Sequence, residues 1–140
     1  MAYTVSQLVN RAAKRLRIVP GGDTMQAEDA ADALEAYNSM MFGFAAAGLT
    51  LTDPAGDDYT HTTQTLASAF PLDDKYYDSV WTLLMERMIG QFPVDQSVAQ
   101  GVGPDIRNAM DRMYAAFMVI GEASVAGAGP LPSQTDKFWG

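Results

Sequence analysis

Thr4-Val5-Ser6-Gln7-Leu8-Val9-Asn10-Arg11-Ala12-Ala13-Lys14-Arg15-Leu16 opens the reading of this chain. Thr4 and Gln7 have the Thr-x-x-Gln spacing of a capping box, in which each side chain takes up a free backbone N–H of the first helical turn. Val5, Leu8, Val9, Ala12, Ala13 and Leu16 then recur at helical intervals and share one arc of the helix. Arg11, Lys14, Arg15 and Arg17 fall on the remainder, and Pro20-Gly21-Gly22 is expected to end the element. Four of the nine Lys and Arg residues thus share one exposed face. The favoured reading of that basic face is a solvated surface pairing with acids of the next helix. The sharper reading is an electropositive surface for a partner or passing nucleic acid.

A second helix is expected after Asp23-Thr24, either of which can cap, running to Ala47 with Gly48 as its left-handed stop. Ala27, Ala30, Ala31, Leu34, Tyr37, Met41, Phe44 and Ala45 form its apolar stripe. Glu28, Asp29, Asp32 and Glu35 crowd its first half, where the helix dipole favours negative charge. Such a helix spans roughly 34 Å, the width of a small domain, and is expected to be the spine. Its alanines allow close approach by neighbours within the chain or between subunits.

Residues 49–72 break the helical period with Thr, Asp, Gly and Pro. A structureless loop of that length is uncommon in a compact domain and is often functional. A short strand or hairpin within 59–70 would reduce the anomaly. A third helix follows Pro71-Leu72, capped by Asp73 or Asp74, and carries Tyr77, Val80, Trp81, Leu84 and Met88 until Gly90, Phe92 and Pro93 close it. Pro104 suits the first turn of a fourth helix, with residues 95–100 as an extra turn or kinked lead-in. That helix turns Ile106, Met110, Met113, Tyr114 and Phe117 inward, can pair Arg107 with Asp111 outside, and is expected to end near Gly121. From Glu122 the period vanishes. The fold class is therefore all-α: a small bundle of about four helices with a long central helix, a long loop and an extended C-terminal tail. Residues 1–121 make the helical domain and 122–140 the tail. Phe138 and Trp139 are costly to leave in water and favour docking on another subunit or protein over folding back.

Composition narrows the function classes. The 140 residues include nine Lys+Arg against seventeen Asp+Glu, a formal charge of −8 that disfavours general binding to a phosphate backbone. Zero cysteines exclude a disulfide scaffold, thiol catalysis and Cys-based zinc sites. No apolar run approaches a membrane span, and Met1-Ala2-Tyr3-Thr4 lacks the order of a signal peptide, so a soluble protein of a reducing cytoplasm is expected. With one histidine, His61, and no nucleophile-elbow or phosphate-loop motif, no catalysis and no cofactor are expected. Asp53, Asp57, Asp58 and His61 carry cation-ligating groups, but their spacing fits no calcium loop, and a polar surface loop explains them; no metal is expected. Asp73, Asp74 and Glu86 are the carboxylates a cell-wall hydrolase would need, yet the aspartates read first as caps, and no apolar pocket is evident to raise one pKa above another. The nine methionines read as adaptable core filler.

Taken in order, Leu8-Val9-Asn10-Arg11-Ala12-Ala13-Lys14-Arg15-Leu16, Ala33-Leu34-Glu35-Ala36-Tyr37-Asn38-Ser39-Met40-Met41, Ala47-Gly48-Leu49 and Phe70-Pro71-Leu72-Asp73-Asp74-Lys75-Tyr76-Tyr77 form a pattern that resembles the head-to-tail adaptor (connector) proteins of tailed bacteriophages. In that family a short helix and a long helix, with an Asn-x-Met-like centre and a Gly-Leu stop, precede a variable loop. Phe44 stands where the family often has a tryptophan, and Ile18-Val19-Pro20 replaces its usual Leu-Gly-Val. The resemblance implies a virion protein whose protomers form a dodecameric ring between the portal protein and the downstream tail protein. DNA would pass through that channel without specific binding, and no membrane is involved. By position near the chain end, Leu131, Pro132, Lys137, Phe138 and Trp139 would contact the portal or a neighbouring subunit. The other reading is a small intracellular helical protein-binding module.

Overall fold

The Thr4 hydroxyl accepts the Gln7 N–H at 3.2 Å and the Gln7 carboxamide accepts the Thr4 N–H at 2.9 Å, so the capping box opens helix α1 (Val5–Arg15) as its spacing predicts. Two further donors of the first turn, Val5 N–H and Ser6 N–H, are satisfied from far along the chain by the Ser68 and Leu66 carbonyls. The computed structural model describes residues 3–19 and 24–118. Its order is α1, α2 (Ala27–Ala46), a 3-10 turn (Asp74–Tyr76), α3 (Tyr77–Gln91) and α4 (Gln96–Phe117). Among the described residues no strand forms; Thr4 with Ala69, Leu49 with Met118 and Thr52 with Asp58 make isolated antiparallel bridges. The fold is an all-α bundle, and no described helix is long and apolar enough to cross a membrane.

Helix α1 stops earlier than the Pro-Gly-Gly signal suggests. Leu16 is its C-cap, Arg17 takes the left-handed conformation (φ 60), and Arg17 N–H and Ile18 N–H close on the Lys14 and Ala13 carbonyls. This is a Schellman motif with arginine in the seat usually held by glycine. Half-buried Ile18 packs on the core and turns the chain there, while Pro20, Gly21, Gly22 and Asp23 lie outside the described residues. Helix α2 ends in the same motif with the expected residue. Gly48 (φ 89) N–H bonds the Ala45 carbonyl, and Leu49 N–H bonds that of Phe44. At its start the expected cap is not used: Gln26 is the N-cap without a side-chain bond. Upstream, Asn10 of α1 accepts the Met25 N–H at 3.0 Å, so a contact from α1 sets the chain's path into α2.

The spine is α3 rather than α2. It alone among the described helices packs substantially against each of the other three, because Tyr77, Ser79, Val80, Thr82, Leu83, Leu84, Met85 and Met88 are buried around most of its circumference. Helix α2 buries one stripe and leaves Glu28, Asp32, Glu35, Ser39 and Phe42 outside, as a helix at the edge of a bundle does. Asp73 accepts the Lys75 N–H at 3.1 Å and caps the 3-10 turn that leads into α3, while α3 itself starts behind Tyr76 without a side-chain cap.

Helix α4 corrects two expectations. It runs through Gly101, Gly103 and Pro104 as one 22-residue helix. Proline in a helix interior costs about 3 kcal/mol. Against that, Val98, Val102, Ile106, Ala109, Met113 and Phe117 form an unbroken stripe packed on the core, and burying it outweighs the local cost. The far end comes at Phe117, short of Gly121. Met118 is extended and bridged to Leu49, while the Phe117 carbonyl accepts the Thr50 N–H at 3.0 Å.

Candidate functional site

Residues 49–72 hold the chemistry that helical periodicity does not describe. The first part folds on itself: Asp53 Oδ1 accepts the Ala55 and Asp57 N–H groups, Gly56 (φ 91) turns the chain, and Tyr59 N–H returns to the Leu51 carbonyl. Hairpin-like pairing is thus found at Thr52–Asp58 and not within 59–70. That second part has no regular structure, passes over α2, turns at Thr65–Ser68 and ends where Phe70 N–H bonds the Tyr3 carbonyl. There Tyr3 stacks on Tyr77 with ring centroids 3.8 Å apart, and Phe70 meets Tyr77 edge-on.

Asn38, in the middle of α2, fastens this crossing. It is only 8% exposed. Its Nδ2 donates to the Gln64 carbonyl at 3.0 Å, and its Oδ1 accepts the Gln64 N–H at 3.0 Å. His61 Nε2 lies 2.8 Å from the same oxygen, and His61 Nδ1 lies 2.9 Å from the Tyr59 hydroxyl. From the preceding residue of α2, the Tyr37 hydroxyl donates to Gln64 Oε1 at 2.6 Å, and Gln64 Nε2 donates to the Ala69 carbonyl at 3.0 Å. A half-buried helix thus holds an irregular segment, with the Asn38 side chain pairing with the Gln64 backbone as a neighbouring strand would. Burial pushes the Tyr37 hydroxyl well above its ordinary range, raises that of Tyr59 and lowers the His61 imidazole from 6.5.

An apolar surface flanks the network. Phe42 is 46% exposed and meets His61 edge-to-face at 4.7 Å. It stands between two hollows along α2, one of about 540 Å³ reaching Ala31, Leu34 and Thr63, the other of about 420 Å³ reaching Ala45, Leu49 and Tyr59.

The sequence-derived candidates are not gathered here. The Arg11 guanidinium lies over the Trp81 ring of α3 at 5.5 Å from its centroid. Arg15 reaches Asp105 of α4 at 3.6 Å, both side chains about half exposed, so this pairing is with α4 and not with acids of the next helix. Lys14 borders a shallow hollow with Tyr3, Asn10 and Tyr77, and Arg17 is an exposed helix stop. Leu131, Pro132, Lys137, Phe138 and Trp139 lie outside the described residues. Asp53 serves its turn and His61 has both ring nitrogens engaged; no cluster of metal-ligating side chains occurs among the described residues. Asp73 is a cap and Glu86 is exposed on α3.

Asn38, Gln64, Tyr37, Tyr59 and Phe42 form the site that reading for catalytic motifs passes over. A signal was present: Asn38 falls in register with Leu34 and Met41 on the buried stripe, and a polar side chain there requires partners. No protein-family model matches this chain, and no curated protein does either.

Proposed function

We propose that this chain is a non-catalytic, structural head-to-tail adaptor of a tailed-bacteriophage virion, joining the portal protein to the tail as a ring. One observation carries the reading. Among the residues on which the resemblance rests are several that fix the loop to the body: Asn38 bonds Gln64 and His61, Gly48-Leu49 closes α2, Phe70 ties to Tyr3, and Asp73 caps the turn into α3. The shared pattern thus falls on a frame, as it does when a shape and its assembly are what a fold supplies.

A net charge of −8 suits a subunit that lets DNA slide past, since few phosphates would be neutralised. The ring is dodecameric on this reading, and Leu131, Pro132, Lys137, Phe138 and Trp139 contact the portal or the next subunit. Mass measurement and electron microscopy of the chain with and without portal test it. A ring that forms on the portal is the expected result; a chain that stays monomeric with portal present overturns it. Deleting residues 130–140 should leave helicity by circular dichroism unchanged and weaken portal binding.

A second reading is favoured by the exposed Phe42 and its flanking hollows, which suit a module that takes one protein partner into an apolar groove. A stable 1:1 complex with a partner other than portal, lost on Phe42→Ser, would decide for it.

A further inference from the structure

The Asn38 carboxamide is oriented by two backbone groups whose roles cannot be exchanged, the Gln64 carbonyl on Nδ2 and the Gln64 N–H on Oδ1. Oδ1 therefore has no hydrogen to offer, and His61 Nε2 at 2.8 Å must be the donor. In the neutral ring that leaves Nδ1 with a lone pair, which accepts the Tyr59 O–H at 2.9 Å. One tautomer of the neutral imidazole completes the network. The imidazolium would turn the Tyr59 O–H away from Nδ1 and set a positive charge among Tyr37, Phe42 and Tyr59, none of which is an anion.

The surroundings offer no compensating charge. Helix α2 presents Tyr37, Asn38 and Phe42 to the ring, and the loop presents Tyr59. The two phenols are neutral at these pH values, and burial raises them further. The carboxylates lining the flanking hollows, Asp58 and Glu35, are exposed to solvent. Burial is what keeps the imidazole below its ordinary 6.5. His61 is 7% exposed, so its ring gains its second proton at least cost when the segment carrying it leaves the helix.

We propose that His61 is an acid-sensitive latch, its neutral ring clamping residues 59–69 on α2 and its protonated ring releasing them. Release would uncover Tyr37 and the inner edge of Phe42, and would free the Leu66 and Ser68 carbonyls from the first turn of α1. The inference rests on the hydrogen-bond geometry and is independent of the adaptor reading.

The sign follows from linkage. The released segment titrates near the ordinary 6.5 and the clamped one lower. Between those values release takes up a proton, so the released fraction grows by up to about tenfold per pH unit as pH falls. Above about pH 7.5 it is flat. Amide hydrogen exchange on the full chain, corrected for intrinsic rates, reads this directly. Protection at Gln64 and Ser6 should fall by up to about tenfold per pH unit below about 6.5, while α3 amides keep theirs. Tyr59→Phe, which removes the donor to Nδ1, should leave the onset near 6.5 and shorten the pH range over which protection falls, and His61→Gln should abolish the slope. Nitrogen-15 spectra of the wild-type imidazole should show the Nε2–H tautomer at neutral pH, whether or not the variants fold. An Nδ1–H tautomer, pH-independent protection at Gln64, or a slope retained in His61→Gln would overturn the latch.

Discussion

Across residues 49–72 the backbone has little regular structure and is nonetheless held in place, whereas α4 carries two glycines and a proline and is nonetheless helical. Both stretches defy their local propensities, in opposite directions and by different forces. The loop is fastened at a few polar points, chiefly Asn38, Gln64 and His61, each satisfied by more than one hydrogen bond. The helix is fastened by a distributed apolar stripe from Val98 to Phe117. Polar fastening concentrates stability in single side chains, because a buried group that loses its partner bears the full desolvation cost. Apolar burial spreads it, roughly in proportion to area.

The comparison breaks most sharply at Asn38. Asn38→Ala removes bonds to the Gln64 carbonyl, the Gln64 N–H and His61 Nε2, and leaves those groups facing a methyl. A loss of about 3 kcal/mol is expected in urea unfolding, with exchange protection lost across 61–69 and retained in α4. Val102→Ala, which shortens one fully buried link of the stripe, should cost about 2 kcal/mol and loosen the turns before Pro104 first. In the opposite direction, Pro104→Ala restores a backbone donor and removes a ring clash in α4, and should raise stability by about 1–2 kcal/mol. A drop in melting temperature for that variant would show that the proline is needed for the path of the helix. The smallest effect belongs to the helix stops. Arg17 holds a left-handed conformation without the freedom of glycine, so Arg17→Gly should gain about 0.5–1 kcal/mol, the relieved strain less the added entropy of the unfolded chain.

These differences explain what could be read from the residues in order. Local signals placed the capping box at Thr4, the Gly48 stop, the Asp73 cap and the end of α3, because each depends on neighbours within a few positions. The extent of α4 was misread for the same reason: Pro104 is a local signal, and the burial that overrides it is contributed by α3. The basic face was seen, but its partners, Trp81 and Asp105, come from two other helices. His61 drew attention as a ligand for want of another role, and its partner Asn38 lies on a helix that precedes it by a stretch of loop.

By itself the sequence determined the all-α class, the start of α1 at its capping box and the apolar face of that helix, since capping chemistry and a period near 3.6 act within one turn or two. Tertiary structure alone decided that α3 is the centre, that α4 passes through its proline, and that Asn38 and His61 share one oxygen with the Gln64 backbone. Those outcomes depend on which surfaces exclude water together, and on buried donors finding acceptors supplied by distant parts of the chain.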